Sequence, residues 1–234
     1  MQKKYLLGFD VGTSESKGTL TDLEGHVLAI ASAKHGIISP YPGFAEHDPI
    51  ADWMSDLKKV IRELLKQING RPEEIAAIGI STIMAAVTFV DENCEPLRNE
   101  ILYGIDTRCV KQTDEINEKI GIEKMQQEFG TICTVEHFGP KILWVKENEP
   151  EIFEKTKHIT FASGFLTARL TGNYYVDKYS ASSALPMLDV KKQQWNDELC
   201  GMICSKELLP EIADSTYAVI GTVTAKAAEE TGLA

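Results

Sequence analysis

The chain has 234 residues, 43% of them hydrophobic, which is enough for one large core. Its 35 acidic and 24 basic residues leave a formal net charge of −11, which repels phosphate backbones and anionic bilayers and argues against nucleic acid and membrane surfaces as partners. No stretch approaches the roughly 20 apolar residues of a membrane helix, Asp10 interrupts the opening apolar run too early for a signal peptide, and the five cysteines contain no CxxC pair. Buried, reduced thiols in a cytoplasmic protein are therefore expected.

In chain order, Lys4–Asp10 alternates as a strand, Gly12-Thr13-Ser14 turns, Ser16–Asp22 is a second strand, and Leu23-Glu24-Gly25 turns into a third at His26–Ala33. This is an antiparallel meander. A loop rich in Pro and Gly, Ser39–Gly43, precedes Asp48-Pro49, a capping Asp followed by Pro at the first helical position. The helix so opened has Ile50, Trp53, Met54, Leu57, Ile61, Leu64, Leu65 and Ile68 on one face and is stopped by Gly70. Ile75–Ser81 reads as a buried central strand, parallel to its neighbour. Helices are expected at Asp106–Ile120, Pro140–Lys146, Gly164–Leu170, Trp195–Cys204 and Thr224–Thr231, with a strand at Lys157–Phe161. The alternation predicts an α/β domain with a mixed sheet flanked by helices. Its order matches the ribonuclease-H-like, actin-like scaffold, with residues 100–200 as insertions that shape a substrate lid.

The chemistry concentrates in three places. An apolar strand delivers Asp10 to its end, and Gly12 permits a tight turn and a close approach of backbone to ligand. The amides of that turn, the hydroxyls of Thr13 and Ser14 and the charge of Lys17 suit an anion, while Asp10 suits Mg²⁺ held through water. Met84 and Ala85 follow the C-terminal end of the parallel strand, where open sheets gather ligands. Asp106 and Arg108 pair an acceptor with a donor, as polyol recognition requires, though a helix cap and a surface arginine would give the same residues. Trp53, Trp144 and Trp195 read as packing residues, and His35, His47 and His137 lack metal-ligand spacing.

Taken together and in order, these segments resemble the FGGY carbohydrate kinases, above all the xylulokinase-like and gluconate-kinase-like branches. Gly8–Lys17 resembles the family's phosphate hairpin, Gly43–Pro49 its GxEQDP stretch, Ala77–Ser81 the strand before the sugar contacts, and Asp106-Thr107-Arg108 its Asp-x-Arg. Gly139–Val145 is similar to its PKLLWV helix, Leu166–Gly172 to its YLxxxLTG segment, and Asp177–Ser182 to its D…NAS stretch, continued by Leu188-Asp189 and Trp195.

The resemblance implies an N-terminal sugar-binding domain over residues 1–234 and a C-terminal nucleotide-binding domain beyond it. It also implies ATP and Mg²⁺ as cofactors and a small carbohydrate as substrate. Asp10 would then be the metal residue, Gly12, Thr13, Ser14 and Lys17 the phosphate-binding residues, and Met84, Ala85, Asp106 and Arg108 the sugar-binding residues. The catalytic Asp is expected past Ala234, so this chain alone is expected to be inactive. Xylulokinases carry Met-His where this chain has Met84-Ala85, and glycerol kinases carry Arg-Glu in that region. The loss of those polar contacts disfavours glycerol and leaves ketoses and sugar acids open. The competing readings are a non-catalytic sugar-binding module of the actin-like superfamily and a ribonuclease-H-like nuclease, the latter short of clustered carboxylates. Among assemblies, a homodimer stays open.

Overall fold

The computed structural model describes residues 2–214 and 217–234. Strands β1 (Tyr5–Val11), β2 (Glu15–Asp22) and β3 (Val27–Lys34) form the expected meander. Their alternation sends Leu7, Phe9, Val11, Leu20, Ala29 and Ala31 to one face. After β4 (Glu46–His47), the Asp48 carboxylate accepts the amides of Ile50 and Ala51, both at 2.8 Å, and Pro49 takes the first helical position. A wide π-type turn over Pro49–Met54 runs into α1 (Ser55–Gln67). Trp53, Met54, Leu57, Val60, Ile61 and Leu64 are buried against the meander. Each such side chain contributes about 1.5–3 kcal/mol on leaving water. The helix lies so close to the sheet that a Cβ on Gly18 would fall 2.2 Å from Val60 Cγ1.

Strand β5 (Ile75–Thr82) pairs in parallel with β1, giving the sheet order β3-β2-β1-β5. The expectation of a buried central strand is corrected here. Among the described residues nothing pairs on the far side of β5, and Ala76, Ala77, Gly79 and Ser81 are exposed. A groove of about 1000 Å³ runs along this edge, lined in part by Ala76, Ile78, Ile80, Thr167, Tyr175 and Val219.

The second half builds its own core. Strands β6 (Val87–Val90) and β7 (Glu100–Ile101) precede helices α2 (Val110–Ile120), α3 (Ile122–Phe129), α4 (Phe138–Asn148) and α5 (Pro150–Lys155) and strand β8 (His158–Phe161). The sheet order is β4-β7-β6-β8, antiparallel throughout. Phe89, Phe138, Ile142, Val145 and Phe161 fill it, with Phe138 stacked on Phe161 at 4.0 Å. Residues 100–200 therefore carry a sheet edge and a packed interior. The helix expected from Asp106 begins only at Val110, because the Asp106 side chain is engaged elsewhere, as described below.

Helix α6 (Ala162–Thr171) is apolar on most sides and lies between the two cores. Beyond it come β9 (Tyr175–Asp177), α7 (Lys178–Ala181), β10 (Leu188–Asp189), β11 (Gln194–Trp195), α8 (Asp197–Gly201), β12 (Glu211–Ala213) and α9 (Ala225–Thr231). The helix expected at Trp195–Cys204 is shorter: Trp195 pairs with Leu188, and Asn196 caps the helix by accepting the Leu199 amide at 3.0 Å. Glu230 on α9 accepts from Lys58 of α1 at 3.1 Å and from Arg169 of α6 at 3.0 Å, fastening α9 to both. All five cysteines are buried and unpaired, and burial raises every thiol, Cys133 and Cys204 to about 12. No described helix is long and apolar enough to cross a membrane.

One buried charge carries a measurable signature. Lys141 on α4 is fully buried and donates to the carbonyls of Val135 and His137. Burial pushes its pKa from 10.5 down to about 8, against the opposing pull of Cys109, Asp106 and Glu136. Between those two values the unfolded lysine binds a proton that the folded one lacks, so stability rises with pH there, by up to about 1.4 kcal/mol per unit. Lys141→Met is expected to remove that rise. Urea midpoints of both proteins from pH 7.5 to 10 test it: the thiols are common to both, so their difference isolates Lys141, and a difference independent of pH would refute the assignment.

Candidate active site

Because β1 and β5 run parallel with Val11 opposite Thr82, their C-terminal ends meet, and the Ile83 amide donates to the Val11 carbonyl at 2.9 Å. The β1–β2 turn thus lies beside Ile83–Ala86 at the end of the sheet where open α/β folds place ligands. The turn closes through Gly12 N–H donating to Glu15 O at 2.9 Å. A Cβ on Gly12 would itself lie 2.9 Å from that oxygen, so a larger residue would force the turn open.

Asp10 ends the exposed row of β1 and, among the described residues, has no hydrogen-bond or ion-pair partner of its own. Its cross-strand neighbour is Lys17, whose ammonium lies 2.8 Å from Glu15. Glu15, and to a lesser degree Asp10, raises the Lys17 pKa and holds it charged. Thr13 is half-buried and Ser14 is exposed. The Thr13 hydroxyl meets the Tyr103 hydroxyl at 3.0 Å, which brings the segment leading to Asp106 against the turn.

Two histidines lie beneath the turn. His35 Nε2 is 3.0 Å from the Gly12 carbonyl and its Nδ1 is 2.8 Å from Asp56; His47 Nε2 is 3.0 Å from the Thr13 carbonyl. The indole N–H of Trp53 donates to His47 Nδ1 at 3.1 Å, so Nε2 carries the His47 proton and donates to Thr13. Burial and the neighbouring His35 ring keep His47 below the ordinary histidine range and favour this neutral form. The absence of metal-ligand spacing gave no reason to single out either histidine in the sequence. The local clue for His47 was its place directly before the capping Asp48.

Asp106 and Arg108 form one buried assembly. The Asp106 carboxylate accepts the Ala45 amide at 2.7 Å, the Arg108 amide at 3.1 Å and the Arg108 guanidinium at 2.7–3.0 Å. Arg108 also pairs with Glu46 at 2.8 Å, and its guanidinium lies 4.0 Å from the Phe44 ring centroid and 5.0 Å from that of Trp144. Glu46 is shared with Arg98, which reaches on to Glu149 at 2.7 Å. Of the Arg108 nitrogens, Nη1 has no partner among the described residues. Met84 is half-buried, Ala85 is 3% exposed, and the peptide between them is cis. The Glu136 carboxylate presses on Gly104, where a Cβ would fall 2.8 Å from Oε1.

The structure thus gathers the turn, Ile83–Ala86 and Tyr103–Arg108 into one region. It gives Asp10 and Lys17 solvent-facing positions and Asp106 and Arg108 buried ones. Glu46, Tyr103, Glu136, His35 and His47 join a site to which no local sequence pattern assigns them.

The profile of the FGGY family of carbohydrate kinases, N-terminal domain, matches residues 5–234. A xylulose kinase from Lactococcus lactis is 34% identical over 226 residues, covering 96% of this chain and 44% of the relative. The crystal structure of a xylulose kinase from Rhodospirillum rubrum superposes with a TM-score of 0.90 at 26% identity, over 99% of this chain and 47% of that one. A gluconate kinase from Lactobacillus acidophilus superposes with a TM-score of 0.87 at 27% identity, over 99% and 46%. The fold is that of the actin-like ATPases, as the order of elements implied. The chain spans about half the length of the curated relatives it matches.

Proposed function

The chain belongs to the FGGY family of carbohydrate kinases, and from that premise we propose that it is the sugar-side half of an enzyme transferring the γ-phosphoryl group of ATP to a hydroxyl of a xylulose-like ketose or a sugar acid. One observation carries the reading: an anion-suited turn, the strand-end segment Ile83–Ala86 and a donor-bearing charge cluster meet at one end of a parallel strand pair.

In this reading Gly12, Thr13, Ser14 and Lys17 hold the phosphates through amides, hydroxyls and charge. Asp10 holds Mg²⁺. A lone exposed carboxylate, with no cluster of three His, Cys, Asp or Glu among the described residues, suits an ion that keeps water and phosphate oxygens as its other ligands. When bound, Mg²⁺ neutralises charge on the phosphoryl group in flight. Met84, Ala85 and the Asp106–Arg108 pair face the sugar. Asp106 acts through the guanidinium it holds, and Nη1 of Arg108 is the donor left for a hydroxyl. The Ala85 side chain offers no polar atom, which favours a substrate gripped by Arg108 and Glu136 over one gripped by the side chain at position 85. The base that takes the hydroxyl proton is an Asp of the domain that follows in the family. Closure of the two domains positions the reactants and excludes water.

The test is ADP release from Mg-ATP with a panel of ketoses, polyols and sugar acids, run on this chain and on a chain extended by the C-terminal domain. The extended chain is expected to turn over a ketose or sugar acid and this chain to remain silent. Robust turnover by this chain would place the base within it and refute the division of labour. Silence of the extended chain with every sugar would favour a binding module.

A further inference from the structure

We infer that His35 and His47 are positioning residues that aim the amides of the Gly12–Ser14 turn at the phosphate, an inference that rests on the kinase reading above. In a trans peptide, a carbonyl and the N–H of the next residue point in opposite directions. The Gly12 carbonyl is turned inward onto His35 Nε2 and the Thr13 carbonyl onto His47 Nε2, each at 3.0 Å. The amides they leave facing outward are those of Thr13 and Ser14, and neither has a protein acceptor among the described residues. Two adjacent, outward, unsatisfied amides are what an anion-binding turn requires.

The device is over-determined from behind. Both rings are buried and meet edge to face at 4.7 Å. Asp56, itself 1% exposed, anchors the far nitrogen of His35, and Lys59 approaches the other oxygen of that carboxylate at 3.4 Å. Trp53, fully buried at the head of α1, saturates the far nitrogen of His47. A polar chain therefore runs from the first helix, through two imidazoles, to two consecutive carbonyls of the turn. A purely structural histidine would need one partner inside the core. These two spend their outer nitrogens on neighbouring peptide groups of the same three-residue turn.

The chemistry names the rescue. A glutamine at position 47 can donate to Thr13 O and accept from the Trp53 indole, whereas methionine fills similar space, has no donor for Thr13 O and offers the indole only a weakly accepting sulfur. His47→Gln and His47→Met are compared with the parent in the two-domain protein. The readouts are steady-state kinetics and the ¹⁵N shifts of the Thr13 and Ser14 amides on titration with the Mg-bound β,γ-imido analogue of ATP. His47→Met is expected to raise KM for ATP about tenfold or more, the scale of one lost oriented hydrogen bond. It should also lose the amide response and leave the KM for sugar within about twofold; His47→Gln should stay within about threefold of the parent in KM for ATP and keep the amide response. A His47→Met protein that binds ATP and shifts both amides like the parent overturns the inference, as does a His47→Gln protein as impaired as His47→Met. A parent protein with neither sugar-stimulated ADP release nor an amide response removes the kinase reading itself. If His47→Met does not fold, amide exchange in the parent decides: Thr13 and Ser14 are expected to exchange fast when free and to be protected by the analogue. Protection in the free protein overturns the proposal.

Discussion

Asp10→Asn, in a protein that joins this chain to a C-terminal domain, is expected to lower kcat by about 10²- to 10³-fold, the scale of losing one preorganised electrostatic contact to the transition state. The substitution keeps size and shape, removes the charge and replaces one acceptor oxygen with an NH₂ donor that a cation cannot use. Asp10 supports no hydrogen bond or ion pair of its own among the described residues, so the fold gives no reason for a carboxylate there. It ends the exposed row of β1, which also carries Leu6 and Gly8, and it stands opposite Ser81 on the strand that leads to Met84. A charge so placed costs the fold little and serves the ligand. The melting temperature is therefore expected to hold, and the KM for sugar to move far less than kcat. Steady-state kinetics at saturating sugar, with Mg²⁺ varied, check this. A kcat within threefold of the parent would take Asp10 out of the metal role.

Trp53→Ala is expected to destabilise the chain by about 3–5 kcal/mol, near the upper end for a large-to-small core substitution. Trp53 is wholly buried, with its ring edge to face with Phe165 of α6 at 6.2 Å. It joins the first helix to the helix between the two cores. The substitution also leaves His47 Nδ1 without its donor, a buried polar atom whose desolvation adds to the cost of the cavity. Urea denaturation measures the loss. Trp195, half-buried with its indole donating to Pro210 O at 2.7 Å, is the internal comparison and is expected to cost less. Equal losses at the two positions would show that burial at Trp53 is not what the fold depends on.

How much of this could be read from the sequence follows from how local each cause is. The meander was legible because turn residues and alternation lie within a few positions of each other, and α1 because Asp48 and Pro49 announce it with side chains that act on the next turn. Of the second sheet only β8, expected at Lys157–Phe161 and found at His158–Phe161, was legible. The two-residue strands of that sheet exist only through pairings such as Glu46 with Ile101, and no local pattern marks them. The helix start at Asp106 was misread because capping chemistry and a buried ion cluster use the same residue type. Only the tertiary contacts, Ala45 on Asp106 and Glu46 on Arg108, decide between them. Strand β5 was placed at the centre because its apolar run resembles that of a buried strand, whereas in this chain one of its edges is open. The site divides along the same line. Asp10, Gly12, Thr13, Ser14 and Lys17 sit on one hairpin and could be found together, while the imidazoles that hold the turn come from two separate segments of the chain.

The hydroxyl pair of Thr13 and Tyr103 joins the turn suited to phosphate with the segment suited to sugar, through a single contact of 3.0 Å. On the function proposed above, this makes the two ligands thermodynamic neighbours. Whatever factor a seated sugar contributes to nucleotide affinity through that contact, a seated nucleotide must contribute to sugar affinity, because the coupling free energy belongs to the pair and is the same in either order of binding. Reciprocity of this kind lets a half-site wait for both of its guests without recording which came first.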